Sequence, residues 1–161
     1  MASSTEDLRA TIESTVTQFL SGPARALAAN DASVYLAALT EDCEHHLRPL
    51  AFVAANPPLK SVKSNEEQKA QLEAAFVTTE EFKHVNIREL VIDLEKRKAS
   101  VLAEHHTKII GAEANTLEIT WFFDFTEDGK RISRVSEFID TATAEKRLAD
   151  MKRQGFLTNK G

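Results

Sequence analysis

The chain has 161 residues, 42% of them hydrophobic and 28% charged, with a formal net charge of −5. That length can bury a full core in one domain, spanning 1–161, and the composition is that of a folded rather than a disordered chain. The acidic balance argues against a nucleic-acid binder, which needs a basic surface to neutralise phosphates. No apolar run approaches the roughly 20 residues that a membrane-spanning helix requires. The start MASSTEDLRA lacks the basic and apolar regions of a secretory signal, and Cys43, the single cysteine, permits no intrachain disulfide. A cytoplasmic protein without membrane or nucleic-acid partners is therefore expected.

In chain order, Ser3-Ser4-Thr5-Glu6 reads as a capping box opening an amphipathic helix, with Leu8, Ile12, Val16, Phe19 and Leu20 on one stripe and a stop at Gly22-Pro23. Residues 24–29 give a short second helix. Asp31 can cap a third over 32–39, with Val34, Leu36 and Leu39 available for burial. Residues 43–48, ahead of Pro49, are expected to be extended. Residues 50–63, which contain Pro57-Pro58, read as a loop long enough to be a pocket rim that orders when ligand enters. Ser64-Asn65-Glu66-Glu67 is a second capping box, opening a helix through Phe76 with Leu72, Ala75 and Phe76 inward.

From Lys83 the hydrophobic period changes to two. Residues 84–94 and 99–109 read as strands joined by the charged turn Glu95-Lys96-Arg97-Lys98, and 111–115 turn the chain back. TLEITWFFDF then sets Leu117, Ile119, Trp121, Phe123 and Phe125 on one face. Gly129 supplies the positive φ that a tight turn needs, and RISRVSEFID is the returning strand. Its Glu137 is a carboxylate between Val135 and Ile139, so either that face is solvated or Glu137 projects into a cavity lined by the aromatic strand. Asp140 caps a last helix over 141–154 that stops at Gly155, leaving 156–161 as a loose tail. Helices first and then consecutive antiparallel strands give an α+β order, in which a cone-shaped curved sheet packs against N-terminal helices and encloses an apolar pocket.

The order of elements, and above all GKRISRVSEFIDTATAEKRL, resembles the nuclear transport factor 2-like superfamily and, within it, the SnoaL-like polyketide cyclases and isomerases. Glu137-Phe138-Ile139-Asp140 is also similar to the closing strand of limonene epoxide hydrolase, an acidic residue followed by two apolar or aromatic residues and Asp. The strand Val101-Leu102-Ala103-Glu104-His105-His106-Thr107 resembles the hydrolase strand that bears a catalytic Arg and a second Asp. His105 stands where that family has Arg and Thr107 where it has Asp, so the hydrolase set of acid, base and water-holding groups is not intact.

Adjacent strand residues point to opposite faces, so each of the pairs His45-His46 and His105-His106 can lend one imidazole to a common pocket. His105 shares its face with Val101, Ala103, Thr107 and Ile109 and is the inward member. On the first strand one face offers Cys43, His45 and Leu47 and the other Glu44, His46 and Arg48. The resemblance and the apolar company favour His45, while a bulge near Pro49 would turn Arg48 inward. Catalysis is thus assigned to Glu137, His105 and His45, with Arg48, Trp121, Phe123 and Thr107 as substrate-binding candidates. Trp121 and Phe123 read equally well as core. A metal site of His45, His105 and Glu137 has no close-spaced ligand motif behind it, so neither metal nor cofactor is expected. Asp124 is expected to be solvated or to form a cross-strand ion pair with Arg134.

A glutamate in an aromatic, water-poor pocket has its charged form disfavoured, and imidazole titrates near neutrality unaided. Two such groups on neighbouring strands can take a proton from one substrate atom and deliver it to another. The resemblance implies a cofactor-free acid–base isomerase or cyclase acting on a hydrophobic, oxygenated polycyclic natural-product intermediate. The alternatives are an epoxide hydrolase or dehydratase on a similar substrate and a non-catalytic ligand-binding or interaction module. Phe122 and Phe138, on the face opposite the pocket, point to a homodimer.

Overall fold

Helical segments come first, as the apolar spacing requires. The computed structural model describes residues 2–157. The elements are α1 (Ala2–Leu20), α2 (Gly22–Ala29), α3 (Ser33–Leu36), β1 (Leu39–Arg48), α4 (Leu50–Ala55), β2 (Val62–Lys63), α5 (Asn65–Phe76), β3 (Thr79–Asp93), β4 (Lys98–Ile109), β5 (Asn115–Phe125), β6 (Ile132–Ile139) and α6 (Thr141–Arg153). The stripe of α1 delivers Ile12, Val16, Phe19 and Leu20 to the core. The helix is already formed at Ala2, ahead of the expected cap at Ser3. Ser and Thr give up only about 0.5 kcal/mol of helix propensity each relative to Ala, too little to stop a helix in its first turn.

All six strands join one curved sheet in the order β2-β1-β6-β5-β4-β3. β3 to β6 form antiparallel neighbours in sequence order, while β1 runs parallel to β6, the pairing that ties the first strand to the last. This is the expected α+β architecture, a curved and unclosed sheet with helices against its concave face. At one end the β5–β6 turn rests on α1, where Thr15 Oγ1 donates to the carbonyl of Gly129 at 2.8 Å. Phe19 fills the adjoining interior against Phe123, Tyr35 and Trp121, with ring centroids 5.2, 5.2 and 5.3 Å away.

Three local expectations are corrected. The third helix covers only 33–36, because Leu39 is already paired with Ile132 in the β1–β6 ladder and the parallel register claims the residues that follow. Residues 50–63 are not an open loop. Phe52 and Val53 are buried on α4, and Val62 and Lys63 pair with His46 and His45, so packing and ladder bonds hold the segment that was expected to be a rim. Asp124, although opposite Arg134, takes its ion pair from Lys98 on the other neighbouring strand at 2.7 Å. The caps of α5 and α6 stand as expected. Ser64 Oγ accepts from the Glu67 amide while Glu67 accepts from the Ser64 amide, and Asp140 Oδ1 accepts from the amides of Ala142 and Thr143. The loose tail expected over 156–161 falls outside the described residues from 158 onward.

Gly129 has φ +71°, and a Cβ there would lie 2.8 Å from Cγ1 of the fully buried Ile12. Both the left-handed backbone and the contact with α1 oppose any side chain. Gly129→Ala is therefore expected to lower unfolding free energy by about 1–3 kcal/mol, read as an earlier urea midpoint with an unchanged slope.

Candidate active site on the inner face of the sheet

Strand register decides which polar groups meet. Residues paired across a sheet share a face. Lys63, His45 and Val135 form one row across β2, β1 and β6, and Leu47, Glu137, Trp121 and Val101 form the next across β1, β6, β5 and β4. Val135, Phe123 and Val101 are buried under the helices, so this is the inner face. Glu137 therefore lies among Leu47, Trp121 and the row that carries His45 and Lys63. Among the described residues its carboxyl has no hydrogen bond or ion pair. Burial raises its pKa above the usual carboxylate range, and the positive charge of Lys63 opposes the rise.

His45 is buried at 4% exposure and its Nε2 is 2.9 Å from Oδ1 of Asn65. Asn65 Nδ2 donates to the carbonyls of Thr40 and Glu41 at 2.8 and 3.1 Å. Those two bonds fix the amide, so Oδ1 is an acceptor, the His45 proton belongs on Nε2, and Nδ1 is left with the basic lone pair. Burial holds this imidazole below its ordinary pKa, with the Asn65 bond opposing. The ring of Tyr35 stacks on it at 6.2 Å. Tyr35 is itself buried, and its hydroxyl is held well above the normal phenol range, first by burial and then by Glu137.

Lys63 is the residue that sequence reasoning missed. It is 7% exposed, and its Nζ donates to Gln71 Oε1 at 2.6 Å. Burial lowers its pKa, with Glu137 the first group to oppose. A two-residue strand has no period to read, so nothing along the sequence separated this lysine from the surface ones. Tyr35 was missed for a similar reason, because a four-residue helix presents too short a stripe.

On the other side of Trp121 lies His105. The indole Nε1–H donates to His105 Nε2 at 2.9 Å, and the ring centroids are 5.5 Å apart. Burial, then the charges of Arg147 and His106, bring the imidazole down to about 4, so it is neutral at pH 7 with its proton on Nδ1. Glu137 and His105 thus share the inner face at two sides of one indole, as the strand order β4-β5-β6 requires.

The remaining candidates divide. Trp121 is 7% exposed at the edge of the polar groups, whereas Phe123 is 1% exposed beneath Phe19 and acts as core. Thr107 is buried on the inner face, with Oγ1 3.4 Å from Asn115 Oδ1. Arg48 is not brought to the site. It pairs with the exposed Phe138 on the outer face, where Nη1 donates to the carbonyls of Leu47 and Ser61. The irregularity in β1 falls between Leu39 and Glu44 and leaves the alternation near Pro49 intact. His46 likewise points outward, 2.9 Å from Glu44. The Nε2 atoms of His45 and His105 are directed to Asn65 and Trp121, and no group of three His, Cys, Asp or Glu side chains among the described residues is arranged to hold a metal. Two shallow surface depressions, along α1 and at the β5–β6 turn, lie away from these groups and collect no comparable set.

Solved structures share this fold. BvnE pinacolase from Penicillium brevicompactum superposes with a TM-score of 0.78 over 91% of this chain and 94% of that one, at 15% identity. PrhC from Penicillium brasilianum gives 0.75 over 92% and 93%, at 18% identity. A protein from Shewanella denitrificans assigned as a SnoaL-like polyketide cyclase gives 0.57 over 83% and 96%, at 15% identity. The chain has the nuclear transport factor 2-like fold. No family model and no curated protein sequence matches it, so the likeness is carried by the backbone.

Within this nuclear transport factor 2-like cone, His105 makes a measurable link between site and stability. Its folded pKa of about 4 lies below the ordinary 6.5, so the unfolded chain binds the extra proton in that window. The contribution is complete above pH 6.5 and is lost as pH falls toward 4, by up to about 3 kcal/mol before solvent screening. His105→Gln keeps an acceptor for Trp121 and removes the titration. Urea unfolding at pH 7 and pH 4 is expected to give a smaller pH difference for the variant than for the parent.

Proposed function

We propose that this protein is a cofactor-free acid–base isomerase or cyclase that acts on a hydrophobic, oxygenated polycyclic intermediate of natural-product biosynthesis. The observation that carries the proposal is Glu137, a carboxyl without a hydrogen bond or ion pair among the described residues, set beside Leu47 and Trp121, whose pKa burial raises above the usual carboxylate range and so strengthens it as a proton acceptor. His45, held below its ordinary pKa with the lone pair on Nδ1, stands on the neighbouring strand as a further proton acceptor, and Lys63 beside it is a donor. Tyr35, kept as the neutral phenol, can donate to a substrate oxygen. In an isomerisation, ionised Glu137 would remove a proton from carbon and return it at a second position while the oxygen between them is held by a donor. The pinacolase that shares the fold, and the protein assigned as a SnoaL-like polyketide cyclase, favour this class over a passive binding module. An epoxide hydrolase is less well supported, since His105 and Thr107 replace the Arg and Asp of that resemblance.

Glu137→Gln keeps the shape and removes the titrating group. Single-turnover rate on the compound that accumulates in cells lacking the protein is expected to fall by about 10²-fold or more. The thermal midpoint at pH 7 should hold or rise, because a buried carboxyl reluctant to ionise has been removed. Full activity in folded Glu137→Gln protein overturns the reading, and oxygen from labelled water in the product would move it to a hydrolase.

We also propose a homodimer through the outer face. Phe122 and Phe138 are 50% and 52% exposed there, on adjacent strands. Burying two such rings is worth several kcal/mol to a pair of copies. Sedimentation at micromolar concentration should return twice the chain mass, and a monomer mass would refute the proposal.

A further inference from the structure

The carboxamide of Asn65 joins the irregularity of β1 to the ring of His45. Along a regular strand successive carbonyls point to opposite edges, so two in a row do not reach one donor. Between Leu39 and Glu44 the register of β1 on β6 shifts, and there the consecutive carbonyls of Thr40 and Glu41 both accept from Asn65 Nδ2, at 2.8 and 3.1 Å. Both amide protons are thereby committed to β1. The oxygen of the same side chain is left 2.9 Å from His45 Nε2.

The start of α5 does not by itself call for an amide. Asn65 is the first helical residue behind the Ser64 cap, with Glu66 and Glu67 after it, and a helix N-terminus favours negative charge, so aspartate would serve the helix at least as well. Aspartate would not serve the bulge, because a carboxylate cannot donate to two carbonyls and is repelled by both. An amide also gives His45 an acceptor without charge. The charges around the ring are Lys63 on β2, Glu137 one row away on β6, and on α5 the exposed Glu66 and Glu67, the latter held by Lys60 and by the Ser64 amide. Tyr35 and Cys43 complete its titratable neighbours on the inner side, and burial keeps both protonated, while His46 points outward to Glu44. Nδ1 of His45 makes no hydrogen bond among the described residues, and it is not sealed from solvent as Nδ1 of His46 is.

We infer that Asn65 is a positioning residue, clamped by the bulge carbonyls of Thr40 and Glu41, that holds His45 as the Nε2–H tautomer and so makes Nδ1 the proton acceptor that His45 offers. The bulge then has a use beyond strand pairing, since it supplies the two acceptors that fix the amide. The inference rests on the acid–base reading of the inner face for the use of Nδ1, but the tautomer is read without substrate, so the two can fail separately.

The test is a long-range proton–nitrogen correlation spectrum of the nitrogen-15-labelled full chain, whose five histidines give few ring signals, with those of His45 identified by their loss in His45→Gln. At pH 7 the parent ring is expected to be neutral with its proton wholly on Nε2. Asn65→Ala should give a mixture of the two tautomers. Asn65→Asp, which suits a helix start and carries the test should the alanine variant not fold, should keep the proton on Nε2 and raise the pH midpoint of the ring, because a carboxylate beside the N–H favours the imidazolium. On the compound that accumulates in cells lacking the protein, the single-turnover rate of Asn65→Ala at pH 7 is expected to fall by about tenfold or more. A parent ring protonated on Nδ1, a tautomer as pure in Asn65→Ala as in the parent, a midpoint that Asn65→Asp leaves unmoved, or an unchanged rate in folded Asn65→Ala protein would each overturn the inference. Full activity in Glu137→Gln beside a slow Asn65→Ala would instead remove Glu137 and leave the role of Asn65 standing.

Discussion

The parallel pairing of β1 with β6 is the constraint on which the site depends. It joins strands separated by almost the whole sheet-forming part of the chain, so loop closure works against it and the antiparallel ladders between them must help to hold it. Once formed, its register sets Leu47 beside Glu137 and His45 beside Val135, and β2 adds Lys63 beside His45. A shift of one residue would turn His46 and Arg48 inward and send His45 to the surface. The bulge between Leu39 and Glu44 absorbs the mismatch of the two strands before the functional residues begin.

A single physical cause then acts on every titratable group of the inner face. Burial is the leading influence on Tyr35, His45, Lys63, His105 and Glu137 alike. It moves acids up and bases down, so the groups approach their neutral forms from both directions. The opposed charges of Glu137 and Lys63 temper the effect without cancelling it. A face built this way makes its carboxyl a stronger proton acceptor once ionised and its imidazoles readier to stay neutral, which suits proton transfer to an apolar substrate. Aromatic packing adds to that burial, since Phe19 sets its ring against Phe123 and Trp121.

What the sequence determined by itself was the set of local preferences. Alternation placed His105 on the inner face, but it left Glu137 between a solvated face and a cavity and left the first strand open between the face of His45 and the face of Arg48, which only the register of β1 on β6 separates. The Ser64 and Asp140 caps, the Gly129 turn and the stripe of α1 were legible because each is fixed by residues within a few positions of one another. Tertiary structure alone decided the rest. It shortened the third helix and made a strand of Lys63, because ladder bonds to β1 outweigh the weak preferences of a few residues. It gave Asp124 to Lys98 instead of Arg134, since both stand opposite and only side-chain reach separates them. It also brought Tyr35 and Lys63 to His45 from a short helix and from a strand too brief for a period. Proximity of that kind has no trace in local spacing, because it is produced by the closing of the sheet.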